Sequence, residues 1–101
     1  MIGQLRIYTV NKGMMDSWLQ LFEAEILPRV KQFGMGVQTV WVNDERTQFI
    51  WIRTYNDKAD LELKETEFYG SDWWKTNVDF IRGHLAHREI ILIDPIMPDG
   101  D

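Results

Sequence analysis

The chain contains no cysteine, which excludes disulfides and any thiol chemistry. It has only three prolines and seven glycines in 101 residues, too few for a fibrous or linker-rich protein. No apolar run approaches the roughly 20 residues that span a bilayer, so no membrane partner is expected. Basic residues are also in short supply: 11 Lys and Arg stand against 16 Asp and Glu, a formal charge of −5. They are scattered along the chain, and phosphate binding needs a clustered basic surface, so nucleic acid is not expected as a partner. The glycines are dispersed as turn or cap residues, with no phosphate-binding loop among them.

What is present is aromatic. Five Trp in 101 residues is a high share, and Trp suits cores, interfaces and ligand pockets alike. The length reads as one domain, 1–101, with one core. Met1-Ile2-Gly3-Gln4 runs straight into a strand pattern, with no basic stretch followed by an apolar one. A cytoplasmic location is therefore the default expectation.

Alternation is clearest in two segments. In Gln4 to Thr9, Arg6 and Tyr8 fall on one side and Leu5, Ile7 and Thr9 on the other. In Phe49 to Tyr55, the residues Phe49, Trp51, Arg53 and Tyr55 oppose Ile50, Ile52 and Thr54. One sheet thus carries an aliphatic face and an aromatic-plus-guanidinium face. The sequence leaves open which face lines a pocket and which lies at an interface.

Between these strands, Met15, Trp18, Leu19, Phe22, Ile26, Val30 and Phe33 recur at helical steps and predict one long helix. Pro28 lies inside that pattern and lacks a donor for the Ala24 carbonyl, so a kink is expected. Gly34 ends the helix. A strand follows over about 36–42, and a short connection at Asn43 to Arg46 leads to the strand at about 47–55. Asp57 and Asp60 suggest the cap of a second helix, with Ala59, Leu61 and Leu63 inward and Asp60, Glu62, Glu65 and Glu67 in solvent. Ser71 opens a further helical stretch in which Trp74, Val78, Ile81 and Leu85 keep helical spacing, and Gly83 stops or loosens its end. The last strand reads from Arg88 to Ile93, and the tail from Met97 to Asp101 reads as frayed.

The order is β-α-β-β-α-β, an α+β ferredoxin-like fold with a four-stranded antiparallel sheet. Two helical layers cover only one face of such a sheet. A second copy packed sheet to sheet is the economical cover for the other, so a homodimer closing an α/β barrel is expected.

With this order in place, the chain resembles the NIPSNAP family of the dimeric α/β-barrel superfamily. The matching residues are Leu5-Arg6-Ile7-Tyr8, Gly13, Phe22, Leu27-Pro28, Phe33-Gly34, Trp51 to Tyr55, Trp74, and Leu92 to Pro95. The resemblance covers nearly the whole domain and implies the fold and the dimer, but no catalytic residue. Trp73-Trp74-Lys75 also looks like the tryptophan pair of the L-rhamnose mutarotases, which share this fold. Those enzymes place Tyr and His on the first helix, where this chain has Trp18 and Phe22, so sugar epimerisation by the same route is not expected.

The ligand-binding candidates are Arg6, Tyr8, Trp51, Arg53 and Tyr55. Guanidinium offers a bidentate fork for a carboxylate, and the rings offer apolar walls. The competing expectation is structural, with Glu89 pairing one Arg and the rings packed together. His84 and His87 are the acid–base candidates, since only histidine titrates near neutral pH without help. No third ligand joins them, so no metal and no cofactor is expected. Ser17 and Ser71 both stand at plausible helix starts, where capping explains them, so Ser-His-Asp catalysis is not expected. Three functions follow: a dimeric small-molecule-binding protein of undefined activity, a cofactor-independent monooxygenase or isomerase acting on an aromatic or carboxylated metabolite, or a structural or regulatory dimer.

Overall fold

The structure, a computed structural model, describes residues 1–97. The expected frayed tail falls, for residues 98–101, outside them. Strand β1 (Ile2–Val10) is central. It pairs on one side with β3 (Gln48–Tyr55) and on the other with β4 (Leu85–Ile93), while β2 (Gly36–Val42) lies beyond β3. All neighbours are antiparallel and the order is β2-β3-β1-β4, the ferredoxin-like α+β arrangement that the alternation predicts. β4 begins at Leu85, three residues before the expected Arg88, because the chain turns directly from Gly83 into pairing with Val10.

The first helical layer runs through α1 (Met15–Leu21), a π-helical turn (Phe22–Ile26) and α2 (Leu27–Gln32). Its stripe of Met15, Trp18, Phe22, Ile26 and Val30 is buried, as the spacing predicts. The disturbance expected at Pro28 takes the form of that π turn, in which the Leu27 N–H bonds to the Phe22 carbonyl five residues back. Pro28 then falls in the first turn of α2, where a missing donor is tolerated. Gly34, at φ 85°, takes the left-handed conformation that ends the helix.

Helix α3 (Lys58–Tyr69) is capped by Asp57, whose carboxylate accepts from the Asp60 N–H at 2.8 Å. The Asp60 carboxylate in turn accepts at 2.9 Å from the N–H of Asn56, the residue before the cap. That backbone bond, and then Lys64, hold the Asp60 carboxyl below the usual aspartate range. The inward face of α3 differs from the expected one. Leu63 is exposed and Phe68 is fully buried against Phe33 and Trp74. Helical periodicity misleads here because the helix turns a carboxylate, Glu65, towards the sheet. Helix α4 (Asp72–Arg82) starts at Ser71, whose hydroxyl accepts from Trp74 N–H.

All helices cover one face of the sheet, and the burial pattern settles which. Tyr8, Phe49, Trp51, Arg53 and Tyr55 are buried beneath the helices, while Leu5, Ile7, Ile50 and Ile52 on the other face are half-buried. The open face continues with exposed Ile91, opposite Leu5, and exposed Trp41, opposite Ile50. In β2 the register with β3 shifts between Val37 and Val40, where Gln38 and Thr39 together oppose Ile52. Among the described residues no helix is long and apolar enough to cross a membrane.

Candidate functional site

Four side chains of the covered face meet through hydrogen bonds that begin on β1. Gln4, Arg6 and Tyr8 share one phase of that strand. Arg6 Nε donates to Gln4 Oε1 at 2.7 Å, and Nη1 donates to the Tyr8 oxygen at 2.8 Å. From α3, Glu65 accepts from Gln4 Nε2 at 3.0 Å and faces Arg6 Nη2 at 3.5 Å. Tyr69, one helical turn further along, brings its hydroxyl to the same place. Arg6 Nη2 and Arg53 Nη1 both donate to the Tyr69 oxygen at 3.0 Å. A phenol oxygen that accepts twice keeps its own proton free for another acceptor.

Two guanidinium groups, each 3% exposed, therefore share one carboxylate, because Glu65 is also the partner of Arg53, at 3.9 Å. Burial alone would disfavour the Arg53 charge. The oxygens of Tyr69, Tyr8 and Tyr55 outweigh it and hold its pKa above the usual arginine value. The Arg53 guanidinium also lies 4.7 Å from the Trp51 ring centroid, a favourable cation–π contact. The cluster carries one positive charge more than it neutralises.

Next to this cluster lies a void of about 20 Å³, bordered by Tyr8, Trp18, Trp51, Arg53 and Tyr69. That is space for about one water molecule. Trp18 Nε1, Trp51 Nε1 and Arg53 Nε, all on residues that border the void, have no hydrogen-bond partner within the protein. An open groove of about 370 Å³ adjoins it, within the range of small-molecule sites. Gln4, Arg6 and Glu65 form its floor, and Tyr69, Trp74, Arg82 and Arg88 border both groove and void. Void and groove thus share four lining residues, with unpaired donors on the void side and Arg82 and Arg88 on the border between them.

Of the five ligand candidates, Tyr8, Trp51 and Arg53 border the void and Arg6 borders the groove. Tyr55 borders neither. Its hydroxyl is directed to Met35 Sδ at 3.4 Å, and burial pushes its pKa up against the opposing pull of Arg53. Glu89 does not pair with either arginine; it stands opposite Ile7, exposed on the other face, and Glu65 takes the role instead. Of the acid–base candidates, His84 is 2% exposed and His87 is exposed in β4 opposite Thr9, and neither borders void or groove. Among the described residues no cluster of three His, Cys, Asp or Glu stands ready for a metal ion.

Gln4, Glu65, Tyr69, Arg82 and Arg88 were not expected at the site. Gln4 shares the strand phase of Arg6, and Glu65 and Tyr69 share a helix face at i, i+4 spacing, so these three left a trace in the sequence. Arg82 and Arg88 left none.

The NIPSNAP family model matches residues 3–95. Among solved structures, an uncharacterised NIPSNAP domain protein from Burkholderia xenovorans superposes with a TM-score of 0.86 at 19% identity, over 96% of each chain. A NIPSNAP family protein from Agrobacterium tumefaciens gives 0.84 at 20% identity, over 95% of this chain and 86% of that one. A protein described as an antibiotic biosynthesis monooxygenase gives 0.71 at 17% identity, over 95% and 99%. Among curated proteins none matches. At such identities the structures speak for the fold alone, while the family model spans nearly all of the sequence. The chain belongs to the NIPSNAP family.

Proposed function

We propose that this protein binds a small, planar carboxylate in the cleft between sheet and helices, and that it does so as a homodimer. The observation that carries the first part is the charge count at the cleft. Arg6 and Arg53 share Glu65 alone, and Arg82 and Arg88 stand at the mouth. A ligand carboxylate supplies the missing negative charge, and a ring or chain on it meets Trp74 and Tyr69. The unpaired indole and guanidinium donors inside favour an acceptor atom on the ligand's inner end.

Thermal unfolding with benzoate, phenylacetate and short aliphatic carboxylates tests this at fixed ionic strength. Millimolar benzoate or phenylacetate is expected to raise the midpoint by a few degrees, on the order of a ligand at several times its Kd. The doubly substituted Arg82→Gln, Arg88→Gln chain, altered only at exposed positions, is expected to lose most of that shift. No shift with any carboxylate, or an equal shift in the variant, overturns the reading.

The dimer rests on the open sheet face. Leu5, Ile7, Ile50, Ile52, Ile91 and Trp41 form an aliphatic and aromatic surface broader than a monomer ordinarily leaves to water. A second copy of the same face is its self-complementary cover. Light scattering at micromolar concentration is expected to give twice the 12.0 kDa chain mass, and Ile52→Arg is expected to give a single-chain mass. A wild-type mass of one chain refutes it.

The runner-up is a cofactor-independent monooxygenase or isomerase on the same ligand class. It is favoured by the free Tyr69 proton at the cleft, a donor for an oxyanion that forms on a bound substrate.

A further inference from the structure

Ser17 and His84 lie 67 residues apart and meet outside the cleft. His84 Nδ1 is 2.9 Å from the Phe80 carbonyl oxygen, a group that only accepts, so this nitrogen carries the ring proton. Nε2 is then the lone-pair nitrogen, and it lies 3.1 Å from Ser17 Oγ, whose hydroxyl donates to it. Edge-on contact with Phe80 at 5.1 Å and packing against Trp18 at 6.0 Å hold the imidazole plane. The base is shielded at 2% exposure, while Ser17 is exposed.

Helix capping, the ordinary use of a serine near a helix start, does not account for Ser17. It lies inside α1, the cap position belongs to Met14, and no side chain caps there. Ser71, by contrast, does cap its helix, and its hydroxyl donates to the Phe68 carbonyl. A buried imidazole gains a partner from Ser17, but the same bond is also the contact between nucleophile and base that acyl transfer requires. The Phe80 carbonyl supplies the third element, which fixes the tautomer and steadies the imidazolium when it forms.

We propose that Ser17 is a nucleophile activated by His84, accepting the acyl group of small activated esters. The Ser17 oxygen bonds to the acyl carbon as its proton passes to His84 Nε2. The acyl C–O bond then breaks, and the departing alkoxide or phenolate takes up that proton. A water molecule, deprotonated by the same nitrogen, attacks the acyl carbon and releases the carboxylic acid and free Ser17. Because Ser17 is exposed and borders neither the void nor the groove, the acyl donor is small and carries a good leaving group.

The test uses a fluorophosphonate and 4-nitrophenyl acetate, with peptide mapping by mass spectrometry. Ser17 is expected to be labelled about 100-fold faster than Ser71 in the same wild-type chain, the lower end of what a positioned base supplies. Ser17→Ala is expected to fold, with at most a modest fall in midpoint from the lost bond to His84, and to lose the label. His84→Gln, which retains a donor for the Phe80 carbonyl, is expected to slow labelling about 100-fold. The proposal falls if Ser17 reacts no faster than Ser71, a comparison that needs no variant to fold. It falls equally if a folded His84→Gln chain is labelled at the wild-type rate.

Discussion

A Glu65→Gln chain is expected to unfold well below the wild type, and to be rescued by carboxylate. Glutamine keeps the shape and can still accept from Gln4 or Arg6, so the change removes charge and little else. Two guanidinium groups at 3% exposure then remain without a counter-ion. Removing one partner of a buried pair costs about 3–5 kcal/mol. Glu65 is 19% exposed and its ion-pair distances are long, so about 2 kcal/mol is a fitting expectation, as for charged hydrogen bonds in general. For a domain of this size that is a fall in midpoint of roughly 8–16 °C. The second half of the prediction ties stability to binding. With the internal carboxylate gone, benzoate meets less competition, and its stabilising shift is expected to exceed that in the wild type. Calorimetry of both chains with and without benzoate checks this. Equal midpoints for the two chains would show that the arginines do not depend on Glu65, and the charge count behind the cleft would lose its meaning.

Phe49→Ala is the second large effect, and it acts on the scaffold rather than on the cleft. Phe49 has no exposed surface and sits among Phe22 at 4.7 Å, Trp18 at 5.5 Å and Tyr8 at 6.2 Å between ring centroids. Removing a buried phenyl costs about 3–5 kcal/mol, because the neighbouring rings are stiff and only partly fill the space. Domains of this kind have about 5–15 kcal/mol in all, so much of the margin is lost. Chemical denaturation is expected to show a midpoint lowered by a third or more with an unchanged slope. Phe49→Leu, which keeps most of the volume, is expected to recover the larger part of the loss. A small effect of the alanine change would mean that the aromatic cluster packs far more loosely than its geometry indicates.

The fold was legible because period and position agree. Arg6 and Tyr8 alternate with Leu5 and Ile7, and the stripe from Met15 to Val30 keeps helical steps throughout. The site was half legible. Arg6, Tyr8, Trp51 and Arg53 stand on strands, where alternation fixes the face, and all four reach the cleft. Glu65 was hidden because an acidic residue in a helix ordinarily faces water, and only the buried arginines opposite make the inward position favourable. Tyr55 was placed with its strand neighbours by phase, but phase says nothing about position along the strand, and Tyr55 lies at the end of β3 over Met35. Nothing in the sequence pairs Ser17 with His84, 67 residues away. Their meeting depends on how the turn before β4 packs against the first helix, a long-range contact with no local signature.

The register shift in β2 has a bearing on how this chain exchanges parts with its relatives. From Val40 onward the strand carries one residue more than its partner, so Val40 and Val42 face Trp51 and Phe49 while Trp41 stands opposite Ile50. A recombined strand that kept both Gln38 and Thr39 but paired regularly, without the bulge, would turn Trp41 under the helices and both valines outwards. Sequence alignments that cross this point without a one-residue gap would pair side chains of opposite faces. In β2 the extra residue and the bulge that absorbs it have to be inherited, or lost, together.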